Sequence, residues 1–110
     1  MNKLVVIEVD NNEWSTIINK CQNYDFYHTQ AYNHLEKEHR PVLFTFQFED
    51  QLIALPLIIR QIPNSDWFDC TSVYGYCGPI STMNIDEIPL KIITFFQKEL
   101  LKYFDQNKII

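Results

Sequence analysis

Glycine is nearly absent from this chain. Only Gly75 and Gly78 occur among its 110 residues, and both lie in the segment YGYCGPIS. So little glycine, together with only five prolines, argues against a low-complexity chain. Glycine takes positive φ without steric cost, or lets another backbone or a ligand approach closely. Two glycines in one segment therefore predict a single turn whose backbone is bent in a specific way.

Basic residues are scarce as well. The chain has 9 basic and 14 acidic residues and a formal net charge of −5. A general nucleic-acid-binding protein needs a basic face that displaces counterions from phosphates. The acidic residues are spread along the chain, which is typical of a solvated surface. We therefore expect no general nucleic-acid binding.

Long apolar runs and an export signal are also missing. The apolar stretch near the N-terminus is brief, and Glu8 and Asp10 follow it at once. We therefore expect no membrane span and a cytoplasmic protein. The three cysteines are then expected to be reduced thiols, buried as small apolar residues. Cys70 and Cys77 fit no usual zinc spacing, so no metal site is predicted.

The composition that remains is that of one globular domain over residues 1–110, with 46% hydrophobic residues. Its first half predicts a strand over residues 4–9 and then a core-facing helix, whose apolar residues recur at helical spacing: Trp14, Ile17, Ile18 and Cys21. A second helix is expected to start at Thr29, which caps it, and to end at Arg40–Pro41. Its inward face would carry Ala31, Tyr32 and Leu35.

The second half predicts three strands and a long helix. Alternating Phe44, Phe46 and Phe48 mark the first strand. The apolar run of residues 52–60 predicts a strand buried on both faces, with a bulge or an unpaired edge at Pro56. A strand over residues 67–74, with Trp67 in the core, precedes a helix from about Asp86. That helix carries an apolar stripe: Ile92, Phe96, Leu100 and Phe104.

The resulting order, β-α-α-β-β-β-α, predicts an α+β fold with a mainly antiparallel sheet covered by helices. A helix after a sheet normally leads back to another strand. We therefore expect the natural protein to extend beyond Ile110.

The glycine segment is a candidate ligand site. Tyr74 and Tyr76 would point to opposite sides of an extended backbone, and Pro79 would stiffen the exit. A rigid, aromatic-walled loop at the end of a buried sheet often forms one wall of a ligand cleft. The alternative is a plain loop between a strand and a helix.

Three segments together resemble the FemAB-like branch of the GNAT acyltransferase superfamily. They are DFYHTQAY (residues 25–32), LIALPLIIRQIP (residues 52–63) and DCTSVYGYCGPIS (residues 69–81). The family patterns are D-x-Y-H-x-x-x-Y, A-L-P-L-x-x-R and D-x-T-S-x-Y-G-Y-x-G-P. The segments occur in the expected order, and the resemblance covers about Trp14 to Ser81. Val73 and Cys77 depart mildly from it, since proline is common at the first position, and proline or a small residue at the second.

The resemblance implies that this chain is the N-terminal half of a partial GNAT-like fold, truncated relative to the full protein. The full protein would transfer an acyl or aminoacyl group to an amine, in peptidoglycan or polysaccharide biosynthesis. The acceptor would be a small-molecule or cell-wall precursor amine. The donor, acyl-CoA or aminoacyl-tRNA, would be bound by later polypeptide, so this chain itself would hold no cofactor and be inactive alone.

Seven residues are expected to bind substrate, and no catalytic residue is assigned: His28, Arg60, Ser72, Tyr74, Gly75, Tyr76 and Gly78. For His28, packing or capping is favoured over catalysis. Arg60 either reaches a carboxylate or phosphate in the cleft, or pairs with Asp66 or Asp69. Asp69 is either a base or, more in keeping with its position, a structural hydrogen-bond acceptor.

Two other functions stay open. A non-enzymatic binding or assembly module could use the same half-fold as a homodimer that pairs exposed sheet edges. A purely structural domain without a pocket would explain the same composition.

Overall fold

A five-stranded sheet organises the protein, of which the computed structural model describes residues 3–72 and 78–110. The strands are β1 (Lys3–Glu8), β2 (Arg40–Phe48), β3 (Gln51–Gln61), β4 (Phe68–Thr71) and β5 (Ile80–Ser81). The helices are α1 (Glu13–Lys20), α2 (Gln30–Asn33) and α3 (Leu90–Gln106). Short 3₁₀ turns lie at Phe26–His28 and Ile85–Glu87. None of the described helices is both long and apolar enough to cross a bilayer.

The strands follow the order β1-β2-β3-β4, and every neighbouring pair is antiparallel. β5 also pairs with β3, on the edge that β4 occupies, because β2 pairs with residues 51–59 along the opposite edge. The α+β class with a mainly antiparallel sheet is therefore confirmed. β3 lies at the centre, as its nearly continuous apolar run predicts.

Each face of the sheet is covered by a helix. Because side chains alternate along a strand, odd and even positions of β2 serve different layers. One layer packs α1 on the sheet and contains Ile7, Trp14, Ile18, Cys21, Leu43, Ala54 and Ile80. The other packs α3 on the sheet and includes Phe44, Phe46, Phe48, Ile53, Ile59 and Phe96. The predicted stripes of both helices therefore face the core.

The second predicted helix is much shorter than expected. Thr29 does cap it, since its Oγ1 accepts from the N–H of Tyr32, but α2 ends at Asn33 instead of at Arg40. The buried Asn33 amide donates to the carbonyls of Tyr27 and Thr29 at 2.9 and 2.8 Å. These bonds tie the last residue of α2 to the preceding turn, and side chains of this kind compete with regular helix bonding.

The inward face predicted for that helix is consequently wrong. Ala31 is exposed and Leu35 is 71% exposed, while Asn33 takes the buried position. His34 and His39 are both exposed, and neither lies within a helix.

The region of the third predicted strand also differs. β4 is four residues long, and Trp67 lies before it, 49% exposed instead of in the core. β5, which the sequence analysis did not predict, pairs Ile80 with Ala54 and Ser81 with Ile53. Two residues carry no readable periodicity, so β5 exists through its tertiary pairing.

Pro56 lies where one edge of β3 is interrupted. Against β2 the register is unbroken, and Pro56 faces Leu43 without a bulge. On the other edge, β4 pairs with residues 58–61 and β5 with residues 53–54. Residues 55–57 therefore have no partner in β4 or β5, in line with the unpaired edge predicted for a residue that lacks a backbone donor.

The C-terminal residues return to the outer edge of β4. Ile109 forms a parallel bridge with Phe68. The N–H of Phe68 donates to the carbonyl of Lys108, and the N–H of Ile110 donates to the carbonyl of Phe68, both at 2.8 Å. This short parallel pairing after α3 has the direction of a strand–helix–strand crossover.

Left-handed bends are made here without glycine. Four described residues other than glycine have φ between 52° and 61°: Asn23, Glu49, Asn64 and Lys108. Asparagine tolerates this conformation better than most residues. The low glycine content therefore does not mean that such turns are few.

A matched pair of leucine substitutions tests the placement of the core. Leu43→Ala empties a fully buried position between β2 and α1 and should lower the free energy of unfolding by about 2–5 kcal/mol. Leu101→Ala removes a side chain that is 65% exposed on α3 and should change it by about 0.5 kcal/mol or less. Chemical denaturation measures both, and equal losses would contradict the assignment of the core.

Candidate functional site

His28 joins two parts of the chain that are 50 residues apart. It is 6% exposed and ends the 3₁₀ turn that Asp25 caps. Its Nδ1 lies 2.9 Å from the backbone N of Asp25, and its Nε2 lies 3.0 Å from the carbonyl oxygen of Gly78. The imidazole therefore attaches the described end of the glycine segment to the turn before α2.

These two contacts select one tautomer of the ring. The N–H of Asp25 can only donate, so Nδ1 must be an unprotonated acceptor. The carbonyl of Gly78 can only accept, so Nε2 must carry the proton and donate it. A neutral imidazole with its proton on Nε2 satisfies both partners. Both ring nitrogens are then occupied by backbone groups.

The turn that carries His28 is itself attached to the core. The indole Nε1–H of the fully buried Trp14 donates to the carbonyl of His28 at 2.9 Å. The amide of Asn33 donates to the carbonyl of Tyr27 from the other side. Because both donors are buried, the position of His28 is fixed by α1 and α2 together.

An open cleft of about 570 Å³ lies beside His28. Among the described residues it is lined by Asn23, Asp25, Tyr27 and His28. Tyr27 also belongs to an aromatic cluster with Phe26 and Tyr32. Its ring centroid lies 4.1 Å from that of Phe26 and 5.2 Å from that of Tyr32. The cleft thus has a carboxylate and an aromatic ring in its lining.

The predicted site residues of the glycine segment fall in two groups. Tyr74, Gly75 and Tyr76 lie outside the described residues. Gly78 is exposed and contacts the site through its carbonyl. A Cβ added at Gly78 would meet no described atom within 4 Å, and its φ is outside the left-handed region. At this position the backbone carbonyl, not the missing side chain, makes the contact that the fold uses.

Arg60 is paired with Asp69, which was one of its two predicted alternatives. The residues are direct partners across β3 and β4, and two hydrogen bonds of 2.8 and 2.9 Å join guanidinium and carboxylate. The hydrogen bonds and opposite charge raise the pKa of Arg60 and lower the pKa of Asp69. A carboxylate whose pKa is lowered in this way is a poor general base at neutral pH.

The predicted residues are therefore only partly brought together. His28 and Gly78 meet, whereas no hydrogen bond or ion pair among the described residues joins Arg60 to either of them. Ser72 is half-buried, and its carbonyl accepts from the hydroxyl of Thr71 at 3.3 Å. In the described ranges, no three His, Cys, Asp or Glu side chains converge in a way that would hold a metal ion.

Sequence reasoning missed the cleft residue Asp25 and its aromatic neighbours as binding candidates. The signal was present in DFYHTQAY, where a carboxylate stands within seven residues of three aromatic side chains. The spacing alone did not show that Phe26, Tyr27 and Tyr32 would pack as one cluster, because two short helical turns and a cap create that contact.

Comparison with known proteins gives no match: no protein-family model, no curated protein and no solved structure is significantly similar to this chain.

The surroundings of the two described cysteines disfavour ionisation of their thiols. Cys21 is buried at the C-terminal end of α1, and desolvation raises the pKa of its thiol to about 11. Burial, together with the nearby Asp69 carboxylate, also raises the pKa of the Cys70 thiol to about 11. Since the thiolate is the nucleophile, neither cysteine is suited to covalent catalysis at neutral pH.

Thiol labelling tests these two environments. In a Cys77→Ser variant only Cys21 and Cys70 remain, and at pH 8 about one thiol in a thousand should be ionised, since the pKa lies about three units above that pH. An aromatic disulfide reagent should therefore react with both only slowly in the folded protein, and quickly after unfolding in denaturant. Fast labelling of either thiol without denaturant would contradict the burial described here.

Proposed function

We propose that this chain is the acceptor-side half of a FemAB-like acyl- or aminoacyltransferase that acts on an amine. In this proposal the glycine turn forms one wall of the acceptor cleft, and later polypeptide supplies the acyl-CoA or aminoacyl-tRNA site. The chain alone is inactive. The acceptor is a small-molecule or cell-wall precursor amine.

One observation carries the proposal. Two of the three segments that carry the family resemblance, residues 25–32 and 69–81, are joined by the hydrogen bond from His28 to the Gly78 carbonyl beside an open cleft. They are far apart in the sequence, so their contact is a property of the folded chain. Small-molecule sites are usually concave and contain a few convergent polar groups.

The geometry gives His28 a positioning role in this reaction. Amine attack on an activated carbonyl requires that the amine be held close and that the developing oxyanion be stabilised. Both nitrogens of His28 are occupied by the Asp25 N–H and the Gly78 carbonyl, so the ring is not free to take the proton of the amine. His28 instead sets the place of the turn that contacts the acceptor.

The C-terminal pairing supports the half-fold part of the proposal. The parallel bridge between Phe68 and Ile109 lies on the outer edge of β4, after the long crossover through α3. A strand that continued along Asp69, Cys70 and Thr71 would extend the sheet with a parallel neighbour. In this proposal, later polypeptide that packs on this edge supplies the acyl-donor site.

Two half-replacements of His28 test the positioning role in the natural protein that contains this chain. His28→Gln places an amide nitrogen about where Nε2 lies and keeps the donor to Gly78. His28→Asn places an amide oxygen about where Nδ1 lies and keeps only the acceptor for Asp25. Acyl transfer to an amine should survive better in His28→Gln, and His28→Asn should lose about 10- to 100-fold in kcat/KM, since small misplacements cost that much.

The exposed His39 provides the control, and His39→Ala should leave kcat/KM unchanged. Equal losses of kcat/KM in both His28 variants would mean that the ring stabilises the fold as a whole and does not specifically position the glycine segment. Failure of the natural protein to transfer an acyl group from either donor class, or transfer by residues 1–110 alone, would overturn the proposed function.

A binding or assembly module is the second candidate, and one observation favours it. β1 is the first strand in the sheet order and pairs only with β2 in the described residues, and Val5 on it is 40% exposed. An edge of this kind pairs readily with a second copy. Sedimentation over a range of concentrations decides between the two: a strict monomer rules out this form of the module.

A further inference from the structure

We propose that the cleft beside His28 binds an organic ammonium group, held by the carboxylate of Asp25 and the ring of Tyr27. The inference goes beyond acyl transfer, because a non-enzymatic module with the same cleft would take the same ligand. It assigns a chemical class, an ammonium cation carried on an organic molecule, to a part of the structure that has a carboxylate and aromatic rings.

The charge of the cleft favours a cation. From Cys21 to Leu35, Asp25 is the only residue that is charged when histidine is neutral. His28 is neutral in the arrangement described above, since its Nδ1 accepts and its Nε2 donates. The lining of Asn23, Asp25, Tyr27 and His28 therefore carries one negative charge and no positive one.

The Asp25 carboxylate is held in place by the turn that it caps and can still accept further hydrogen bonds. Its Oδ1 accepts from the N–H of Phe26 at 2.6 Å, which fixes the side chain at the start of the 3₁₀ turn. The side chain also accepts from the backbone N–H of His28, which completes a capping box. Unlike Glu8, which is engaged by Arg40, and Asp69, which is engaged by Arg60, Asp25 forms no ion pair with a basic side chain of the described residues. An ionised carboxylate has about four acceptor positions, so Asp25 can still accept from an ammonium N–H.

The aromatic cluster provides the second half of the site. Phe26 is 54% exposed, and Tyr27 lines the cleft. The rings of Phe26 and Tyr27 lie at right angles to that of Tyr32, within 5.0 and 5.2 Å between centroids, so the three brace one another. Aromatic faces attract ammonium ions through the ring quadrupole, and a carboxylate beside them adds a direct charge pair.

A bare metal ion fits the same cleft poorly. Hard divalent ions require several oxygen ligands, and the described residues hold no group of three acidic, histidine or cysteine side chains that could bind one. An organic ammonium needs only one carboxylate and an aromatic surface. The cleft, at about 570 Å³, is also larger than an ion and has room for the carbon chain that bears the charge.

Titration of the isotopically labelled 110-residue chain with n-butylammonium, followed by NMR, tests this site. The matched neutral probe is n-butanol, which has the same carbon chain without the charge. We expect saturable shifts in the signals of Asp25, Phe26 and Tyr27 with the ammonium and at least about tenfold weaker binding of the alcohol. Added salt should weaken the ammonium binding, because the pair is partly exposed.

Two matched variants test whether Asp25 supplies the negative charge that binds the ammonium group. Asp25→Asn removes the charge but keeps an oxygen that can cap the turn, so the fold should persist while ammonium affinity drops about tenfold or more. Asp105→Asn removes the same charge from the exposed end of α3 and should leave the affinity unchanged. A dispersed amide spectrum for both variants shows that they are folded.

The outcomes separate this inference from the proposed function. Equal binding of alcohol and ammonium, no saturable shift, or unchanged affinity in Asp25→Asn would overturn the ammonium site, whatever the natural protein does in an acyl-transfer assay. Selective ammonium binding that depends on Asp25 supports the site even if no acyl transfer is found.

Discussion

The hydrogen bonds of the His28 ring are the constraint on which the site depends. One nitrogen accepts from the turn that it terminates, and the other donates to a carbonyl 50 residues further on. Loss of the ring would remove both hydrogen bonds, and a typical intramolecular hydrogen bond contributes about 0.5–1.5 kcal/mol to stability. The ring therefore links the turn before α2 to Gly78, and the hydrogen bond from the buried Trp14 attaches that turn to the core.

The sheet is interrupted along one edge of β3. β4 and β5 lie along that edge, but residues 55–57 of β3 pair with neither of them. Pro56, in the middle of that gap, has no N–H to donate and is fully buried. The residue without a backbone donor thus lies where neither β4 nor β5 pairs with β3.

The sequence predicted what depends on local periodicity and missed what depends on long-range contact. The alternating phenylalanines of β2, the stripes of α1 and α3 and the Thr29 cap can be seen in a few neighbouring residues, and they are confirmed. The early end of α2 follows from the side chain of Asn33, and β5 follows from its pairing with β3. For the site, the sequence identifies His28 in the motif DFYH but does not show that it bonds to Gly78. A glycine in a sequence indicates backbone freedom, whereas Gly78 contacts His28 through its backbone carbonyl.

The tautomer of His28 is the measurement that tests this account most directly. Long-range nitrogen–proton correlation spectra of the histidine side chains distinguish a protonated from an unprotonated ring nitrogen. The structure predicts that His28 is neutral, with the proton on Nε2 and protected from exchange, whereas the exposed His34 and His39 should exchange freely with solvent. A proton on Nδ1 of His28, or a ring that exchanges as freely as that of His39, would contradict the bridge to Gly78 and with it the placement of the turn.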